Sequence, residues 1–430
     1  MNYDCIIIGG GISGLTAGIK CVNEGLSCAI ISSGMSALHF SSGSIDMLGY
    51  MNDGEVVYNP HDAIHDFIQA NQNHPYARCG ADTVAESLEF FQEQAGRKNV
   101  NLYHNNGNNH FHVTALGTLK PTYLSQRSVF NENIRNGFEN KPGIAIINFE
   151  GFRDFHPELA ASNLKKNQLF KDLEIFARTI RVSEFNNTSR NPHEYRSIDL
   201  ARILEKEENL ERIAAQIKEA AGDALFAGIP ALLGLHDAGK VHGKLEELTG
   251  LLIYEIPTLP PSILGMRIDD ALKTVFADAG GIYIAGDKVI KGDVDGNTLT
   301  HIHTQNYGNS RLSASHYILS TGSFFSGGMV SEFDNIREPV FGLKLDYREG
   351  RSNWYSQDFF DRQSHPFLQY GVDTDEDLHP RDKDGVTIKN LYCTGAILAN
   401  YNPIREGSGS GVAISTAYHA ARQIINACKK

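Results

Sequence analysis

Residues 4–31 read DCIIIGGGISGLTAGIKCVNEGLSCAII, and this stretch decides the fold. Tyr3 to Ile8 is a short apolar run rich in isoleucine, whereas Leu15, Gly18, Ile19 and Val22 recur at helical spacing. Between them stands Gly9-Gly10-Gly11-Ile12-Ser13-Gly14, a GxGxxG whose glycines permit a tight turn and let backbone N–H groups approach a phosphate. Gly25 closes the helix, and Leu26 to Ile31 resumes an apolar run. Strand, turn, helix and strand make a right-handed βαβ unit, with Gly9, Gly11, Ser13 and Gly14 as candidate cofactor-loop residues.

The fingerprint lacks one part. The acid expected about 20 positions further on, which holds an adenosine ribose, is missing. Ser32 and Ser33 stand at the strand end instead, no Asp or Glu occurs between Glu24 and Asp46, and no Lys or Arg between Lys20 and Arg78. Neither NAD-type nor NADP-type ribose recognition is therefore available locally. A ligand with a phosphate and no adenosine half, FMN, is the simplest account; FAD held through serine hydroxyls is the alternative.

Other loops of the same character lie downstream. Gly281 opens a series of short strands, IYIAGDKVIKGDVDGNTLTHIHTQNYGNSRLSASHYILSTGS, with Asp295-Gly296 as a hairpin signal and Ser320-Thr321-Gly322 at its end. This spacing predicts a three-stranded meander feeding a buried strand beside a phosphate. Near the C-terminus, a strand over Asn390 to Thr394 leads to Gly395, then to Ile404-Arg405-Glu406-Gly407-Ser408-Gly409-Ser410-Gly411 and a helix over Gly411 to Ala427. A helix N-terminus there would favour a reduced, negatively charged flavin ring. The segment from Gly34 to Ser44 is small, hydroxyl-rich and uncharged, and is expected to line the pocket through Ser41, Ser42 and Gly43. Thr321, Gly322, Gly395, Gly409, Ser410 and Gly411 complete the expected cofactor set.

These patterns predict an α/β, two-dinucleotide-binding-type flavoprotein fold, Rossmann-like, with a large inserted cap domain. Residues 1–49, 278–335 and 385–430 are expected to form the flavin domain, 50–277 the inserted cap or substrate domain, and 336–384 a cap or subunit-contact segment. Amphipathic helices are expected over Thr83 to Gln94 and Leu200 to Ala221.

Of 430 residues, 41% are hydrophobic and 21% charged, which suits a globular chain with a sizeable core. A net charge of -12 disfavours nucleic acid, whose phosphates need a concentrated positive surface. No long uncharged apolar run and no basic leader occur, so a cytoplasmic chain that does not span the membrane is expected. The six cysteines show neither CxxC nor metal-ligand spacing, so buried or free thiols are expected, with no intrinsic iron–sulfur cluster and no metal site.

At DCIIIGGGISGLTAGI, SSGMSALHFSSGSIDML, GFRDF (151–155), LPPSILGMRI (259–268) and GAILANYNPIREGSGSGVAIST, the sequence resembles the B-subunit family of anaerobic glycerol-3-phosphate dehydrogenases. The match covers most of the chain, and serine in place of the ribose acid belongs to the family pattern. The resemblance implies oxidation of sn-glycerol 3-phosphate to dihydroxyacetone phosphate, with electrons passed to a quinone and then to fumarate or nitrate, in anaerobic glycerol degradation. It implies FMN in this subunit, a catalytic A subunit as partner, and an iron–sulfur C subunit that anchors the assembly to the cytoplasmic face of the inner membrane.

Alcohol oxidation of this kind needs a base for the hydroxyl proton and cations for the phosphate. His39 and Glu406 are the base candidates, while Lys120, Arg127, Arg153, Arg267 and Arg405 are cation candidates, with Arg153, Arg267 and Arg405 in family motifs. For Arg153 and Arg267 a structural ion pair is the competing reading; for His39, an ordinary pocket histidine or a covalent flavin attachment. Two functional readings stay open: a protein whose own flavin oxidises the alcohol, or a relay flavoprotein beside a catalytic A subunit. A stand-alone NAD(P)–flavin enzyme is disfavoured, because a second complete GxGxxG is missing.

Overall fold

The computed structural model describes residues 2–131, 143–187, 194–308 and 311–429. The chain opens with β1 (Asn2–Ile8), α1 (Ile12–Asn23) and β2 (Cys28–Ser32), followed by α2 (Pro60–Ala70), α3 (Pro75–Cys79) and α4 (Ala81–Gly96). Next come β3 (Ile144–Phe149), β4 (Ile175–Ile180), α5 (Glu207–Ala221), β5 (Phe226–Pro230), β6 (Leu252–Ile256) and α6 (Ile263–Asp278). The last part carries β7 (Ile282–Ala285), β8 (Val289–Asp295), β9 (Thr298–Thr304), β10 (Arg311–Leu319), β11 (Leu391–Cys393) and α7 (Gly409–Cys428).

Two compact units result: residues 1–37, 46–98 and 269–430 form the first, and residues 38–45 and 99–268 the second. The first is built on a seven-stranded sheet in the order β7-β2-β1-β10-β9-β8, with β11 against β10. β1 runs parallel to both neighbours, pairing Ile8 with Leu319 and with Ile31, so β1, β2 and β10 end together. β2 is buried along its whole length, as a central parallel strand requires. The predicted meander is present as β8, β9 and β10, with its first turn one residue later than expected, at Gly296 and Asn297.

The expected boundary at residue 50 is corrected. Residues 46–98 belong with the sheet unit, because α3 and α4 pack on the C-terminal helix α7, itself packed on α1. Residues 336–384 also belong to this unit and carry a small core around Ile336, Trp354 and Tyr370. α4 agrees with the expected Thr83–Gln94 helix, but Leu200 to Ala221 is two helices, Ser197–Leu204 and α5, because the chain breaks at Glu205 and Lys206. Glu205 is used elsewhere: its Oε1 accepts from the Leu235 and His236 amides at 2.6 Å.

The second unit has its own four-stranded sheet, β6-β5-β3-β4, parallel throughout. Its strands are short and do not alternate regularly between apolar and polar residues, which is why their period was unreadable; flanking helices such as α5 bury Leu210, Ile213 and Ile217 on the same core. Inside this unit Arg267 is 2% and Glu255 0% exposed, and their side chains form a bidentate pair at 2.7 and 3.0 Å. Arg267 also donates to Gln126 and to the Gly234 carbonyl, and Glu255 accepts from Ser128 and the Leu233 amide. Burial alone would push the Glu255 carboxyl up, but Arg267 and the hydrogen bonds hold it below its ordinary value.

A buried pair of this kind costs desolvation to form but far more to break. Arg267→Ala is expected to destabilise the chain by about 3–5 kcal/mol, measured by denaturant unfolding, because it leaves a buried uncompensated carboxylate. Arg267→Met combined with Glu255→Leu should recover most of that loss. The folded pKa of Glu255 is lowered, so its stabilising contribution is present above the unfolded glutamate pKa of about 4.3 and fades as pH falls through the lower folded value. An Arg267→Ala protein as stable as the wild type at neutral pH would overturn this reading.

Candidate flavin site

The glycine loop sits where β1 turns into α1, and its backbone dictates its composition. Gly9 has φ +117°, and a Cβ there would lie 2.2 Å from the Ser320 carbonyl oxygen. A Cβ on Gly14 would lie 1.9 Å from the Gly9 oxygen. These two glycines let β1, α1 and the end of β10 close on one another; Ser320 donates its backbone N–H to the Ile8 carbonyl at 2.8 Å. Gly11 is different: its φ is ordinary and a Cβ would meet only Ser36, at 3.9 Å. That space is open, α1 begins there with no side-chain cap and no acid in its first turn, and uncapped helix amides suit a phosphate.

Beside this cradle Thr321 offers a buried hydroxyl with no hydrogen-bond partner in the protein. Leaving such a group unpaired costs free energy, so an acceptor or donor from a bound cofactor fits it. Gly322, at φ +80°, turns the chain immediately after. The C-terminal loop meets the glycine loop directly: Ser13 Oγ donates to Thr394 Oγ1 at 2.9 Å, and a Cβ on Gly395 (φ +76°) would lie 2.9 Å from Ser13 Cβ. The Ser13 hydroxyl thus joins two loops.

At the end of β2, Ser32 Oγ donates to the Gly34 carbonyl and Ser33 is exposed. A residue the sequence reading missed fills the space beside Gly10: Tyr283 on β7, whose hydroxyl would lie 2.1 Å from a Gly10 Cβ. Lys273 stands 5.0 Å over the Tyr283 ring and pairs with Asp269 at 2.6 Å, and Ser36 Oγ donates to the same Asp269. A second missed residue is Asp287, whose N–H donates to the Ser32 carbonyl; it is 2% exposed, with Oδ2 unpaired. Both come from the far side of the sequence, and only the β7–β2 pairing reveals them.

Several expected site residues have other work. Glu406, expected as a base, accepts from the Asn402 amide, Ser408 Oγ and His74 Nε2 at 2.7–3.0 Å, so it is a pin between segments. Arg267, expected at a substrate phosphate, is consumed by the buried pair described above. Ser410 Oγ accepts from the Asp46 amide, the Gly411 amide donates to the Asp46 carbonyl, and a Gly411 Cβ would collide with the Tyr76 hydroxyl. One of the α7 amides expected to face the flavin is therefore taken by Asp46. Gly409, at the start of α7, would place a Cβ 3.0 Å from Pro403.

In the second unit, Gly43 (φ +68°) and Gly265 allow the start of α6 to lie on the loop 38–45: a Cβ on Gly265 would lie 1.8 Å from the Leu38 oxygen. Ser262 donates its N–H to the His39 carbonyl, and Ser41 Oγ donates to the Leu38 carbonyl. Ser42 is half-buried in the same turn. Arg127 stacks on Tyr103, and Lys120 lies in the strand paired with His112. Arg153 is 65% exposed with a loose contact to Glu194 at 3.5 Å, while Arg405, in the sheet unit, donates to the Asn52 carbonyl. A polar cavity of about 360 Å³ between Arg78, Asp346 and Asp373 includes none of the glycine-loop residues.

The family model described as FAD binding domain matches residues 4–412. The B subunit of anaerobic glycerol-3-phosphate dehydrogenase from Aliivibrio fischeri strain MJ11 is 43% identical, over 99% of this chain and 96% of its own length. The chain belongs to this family of flavoprotein subunits. The B subunit from Vibrio cholerae serotype O1 strain M66-2 is 41% identical over 99% of this chain and 97% of its own. Among solved structures, 3-ketosteroid delta1-dehydrogenase from Sterolibacterium denitrificans aligns over 99% of this chain and 100% of its own, at 11% identity and a TM-score of 0.47.

Three substitutions separate folding from binding. Gly9→Ala should yield an unstable, flavin-poor protein, whereas Gly11→Ala should keep its melting temperature within about 2 °C in the flavin-free state and lose flavin affinity. Thr321→Val should leave flavin-free stability unchanged and weaken flavin binding about tenfold, the worth of one hydrogen bond to a charged or strongly polar partner. Unchanged flavin dissociation constants in both Gly11→Ala and Thr321→Val would place the cofactor elsewhere.

Proposed function

We propose that this chain is the flavin-carrying subunit of a quinone-dependent anaerobic glycerol-3-phosphate dehydrogenase, oxidising sn-glycerol 3-phosphate to dihydroxyacetone phosphate. The observation that carries the reading is identity of 41–43% over 99% of the chain to proteins of that name, supported by the glycine turn at the start of α1 and the unpaired Thr321 hydroxyl. Quinone is the electron acceptor in this reading, with fumarate or nitrate beyond it. Among the described residues no helix is long and apolar enough to cross a membrane, which is in keeping with membrane attachment through an iron–sulfur C subunit and with a catalytic A subunit as partner.

The bound flavin would supply hydride acceptance. The protein's own tasks are to hold the phosphate and take the hydroxyl proton. With Arg267 and Glu406 committed to structure, Arg153 and Arg405 remain as phosphate candidates and His39 as the base. Support for His39 is its place in a turn fixed by Gly43, Gly265 and the Ser262 amide. His39→Ala is expected to lower kcat at least a hundredfold with flavin retained, as loss of a general base does.

For the cofactor we propose FMN. Tyr283 and Ser32 crowd Gly10 at the end of β2, where dinucleotide folds hold the ribose of an adenosine half, and the acid that would bind it is absent. FAD is the second reading, favoured by the family model's description and by the unpaired Asp287 Oδ2 beside Ser32; its 2% exposure weighs against contact with a ligand.

Denaturing the purified holoprotein and chromatographing the released flavin should give FMN; mainly FAD would refute the argument from Tyr283. Anaerobic mixing of the holoprotein with sn-glycerol 3-phosphate should bleach the flavin absorbance with no other protein present. Bleaching only when the A subunit is added would make this chain the relay.

A further inference from the structure

The hairpin β8–β9 carries a cluster that flavin chemistry does not use. Its second strand reads Thr300-His301-Ile302-His303-Thr304, and alternation places the two imidazoles on one face while Ile302, 0% exposed, enters the core. On β8, Asp293 lies directly opposite His301 in the antiparallel register. A register shift between Asp293 and Val294 marks an irregularity at this point. On the strand's other face Gly292 fits against Leu299 and Phe341, where a Cβ would lie 2.6 and 2.5 Å from their atoms, so the hairpin is held from behind.

Three potential ligand atoms converge there. Asp293 Oδ2 is 3.0 Å from His301 Nε2 and 2.8 Å from His303 Nε2, and the three groups' ligand atoms all lie within 4.8 Å of one another. A tetrahedral Zn²⁺ with ligands at about 2.0–2.1 Å has ligand–ligand edges of about 3.3 Å. Both carboxylate–imidazole separations are a few tenths of an ångström shorter than that edge, so Asp293 must draw back by about that much from the two imidazoles to admit an ion. His303 is 12% and His301 22% exposed, so the imidazoles are partly shielded, while Asp293, at 39%, leaves a path from solvent.

We propose that Asp293, His301 and His303 bind one borderline divalent transition-metal ion, of which Zn²⁺ is the representative. Two imidazole nitrogens and one carboxylate suit this class better than Mg²⁺ or Ca²⁺, which prefer all-oxygen sites. Three protein ligands leave a fourth position open for water. The opposing charge is Lys291, two residues before Asp293 and paired across the hairpin with His303. It is exposed, so solvent weakens its repulsion of a bound ion without abolishing it, and the three ligands outweigh it. The pairing of Asp293 with the two histidines is the competing state, and the metal displaces the protons that hold it together.

The test is calorimetric titration of Zn²⁺ into chelator-stripped holoprotein, with flavin content measured for every variant. One equivalent is expected to bind, and Asp293→Asn, His301→Ala and His303→Ala should each weaken it at least tenfold with flavin content unchanged. His65→Ala, at an exposed histidine elsewhere, should change nothing. Lys291→Gln should tighten binding severalfold, a response that a site elsewhere on the surface would not show. Absence of binding, or binding that survives all three ligand substitutions, overturns the proposal. Should any ligand variant fail to retain flavin, the Lys291→Gln response decides alone: equal affinity in that variant and the wild type also overturns it.

Discussion

The close approach of Gly9 to the carbonyl of Ser320 is the constraint on which the flavin unit depends. The two residues end adjacent parallel strands, and at that distance no side chain fits between them. Gly14 repeats the condition one helical turn later, against Gly9 itself. Because the backbones touch, α1 starts level with the ends of β1, β2 and β10. Thr321 follows Ser320, so its buried, unpaired hydroxyl stands next to the same contact. A glycine loop read from spacing alone becomes a binding element only once the partner strand is known.

The features legible in the sequence were those written within a few residues of one another. The β1–α1–β2 unit, the β8–β9 hairpin, β11 and α7 each carry their own period or turn signal, and the structure contains each of them. What escaped was long-range. The four parallel strands of the second unit are short and lack regular alternation, and the allegiance of residues 46–98 follows from α3 and α4 meeting a helix more than three hundred positions away. Tyr283 and Asp287 reach the glycine loop only because β7 pairs with β2. The His-x-His of β9 was readable by alternation, but its third member comes from the opposite strand, and a search of cysteine spacings passes over it.

Charge was the least legible property, because a sequence shows a charged residue without showing its partner. Arg267 and Arg153 both stand in family motifs, yet one is buried in a bidentate pair satisfied by Glu255, Gln126 and Gly234, and the other lies in solvent beside Glu194. The distinction decides their roles. A guanidinium buried in the protein with four of its five N–H groups already bonded is out of reach of a substrate phosphate, whereas an exposed one with a loose partner loses little by changing it.

The C-terminal glycine loop shows how structural and electrostatic duties combine. Glu406 ties Asn402, Ser408 and His74 together, its carbonyl accepts from the Gly49 and Tyr50 amides, and Asp46 holds Ser410 and Gly411. Such a loop is fixed by its own bonds before any cofactor arrives. Dipoles held in place beforehand stabilise a developing charge without first reorganising, whereas a mobile loop would spend part of the interaction on its own ordering. The Asp46 carbonyl removes one amide from the end of α7 but immobilises the residues around it. Any influence of this helix on a bound flavin's redox potential would then come from the aligned peptide dipoles of its twenty residues, whose field is felt near the first turn, rather than from a full set of free amides.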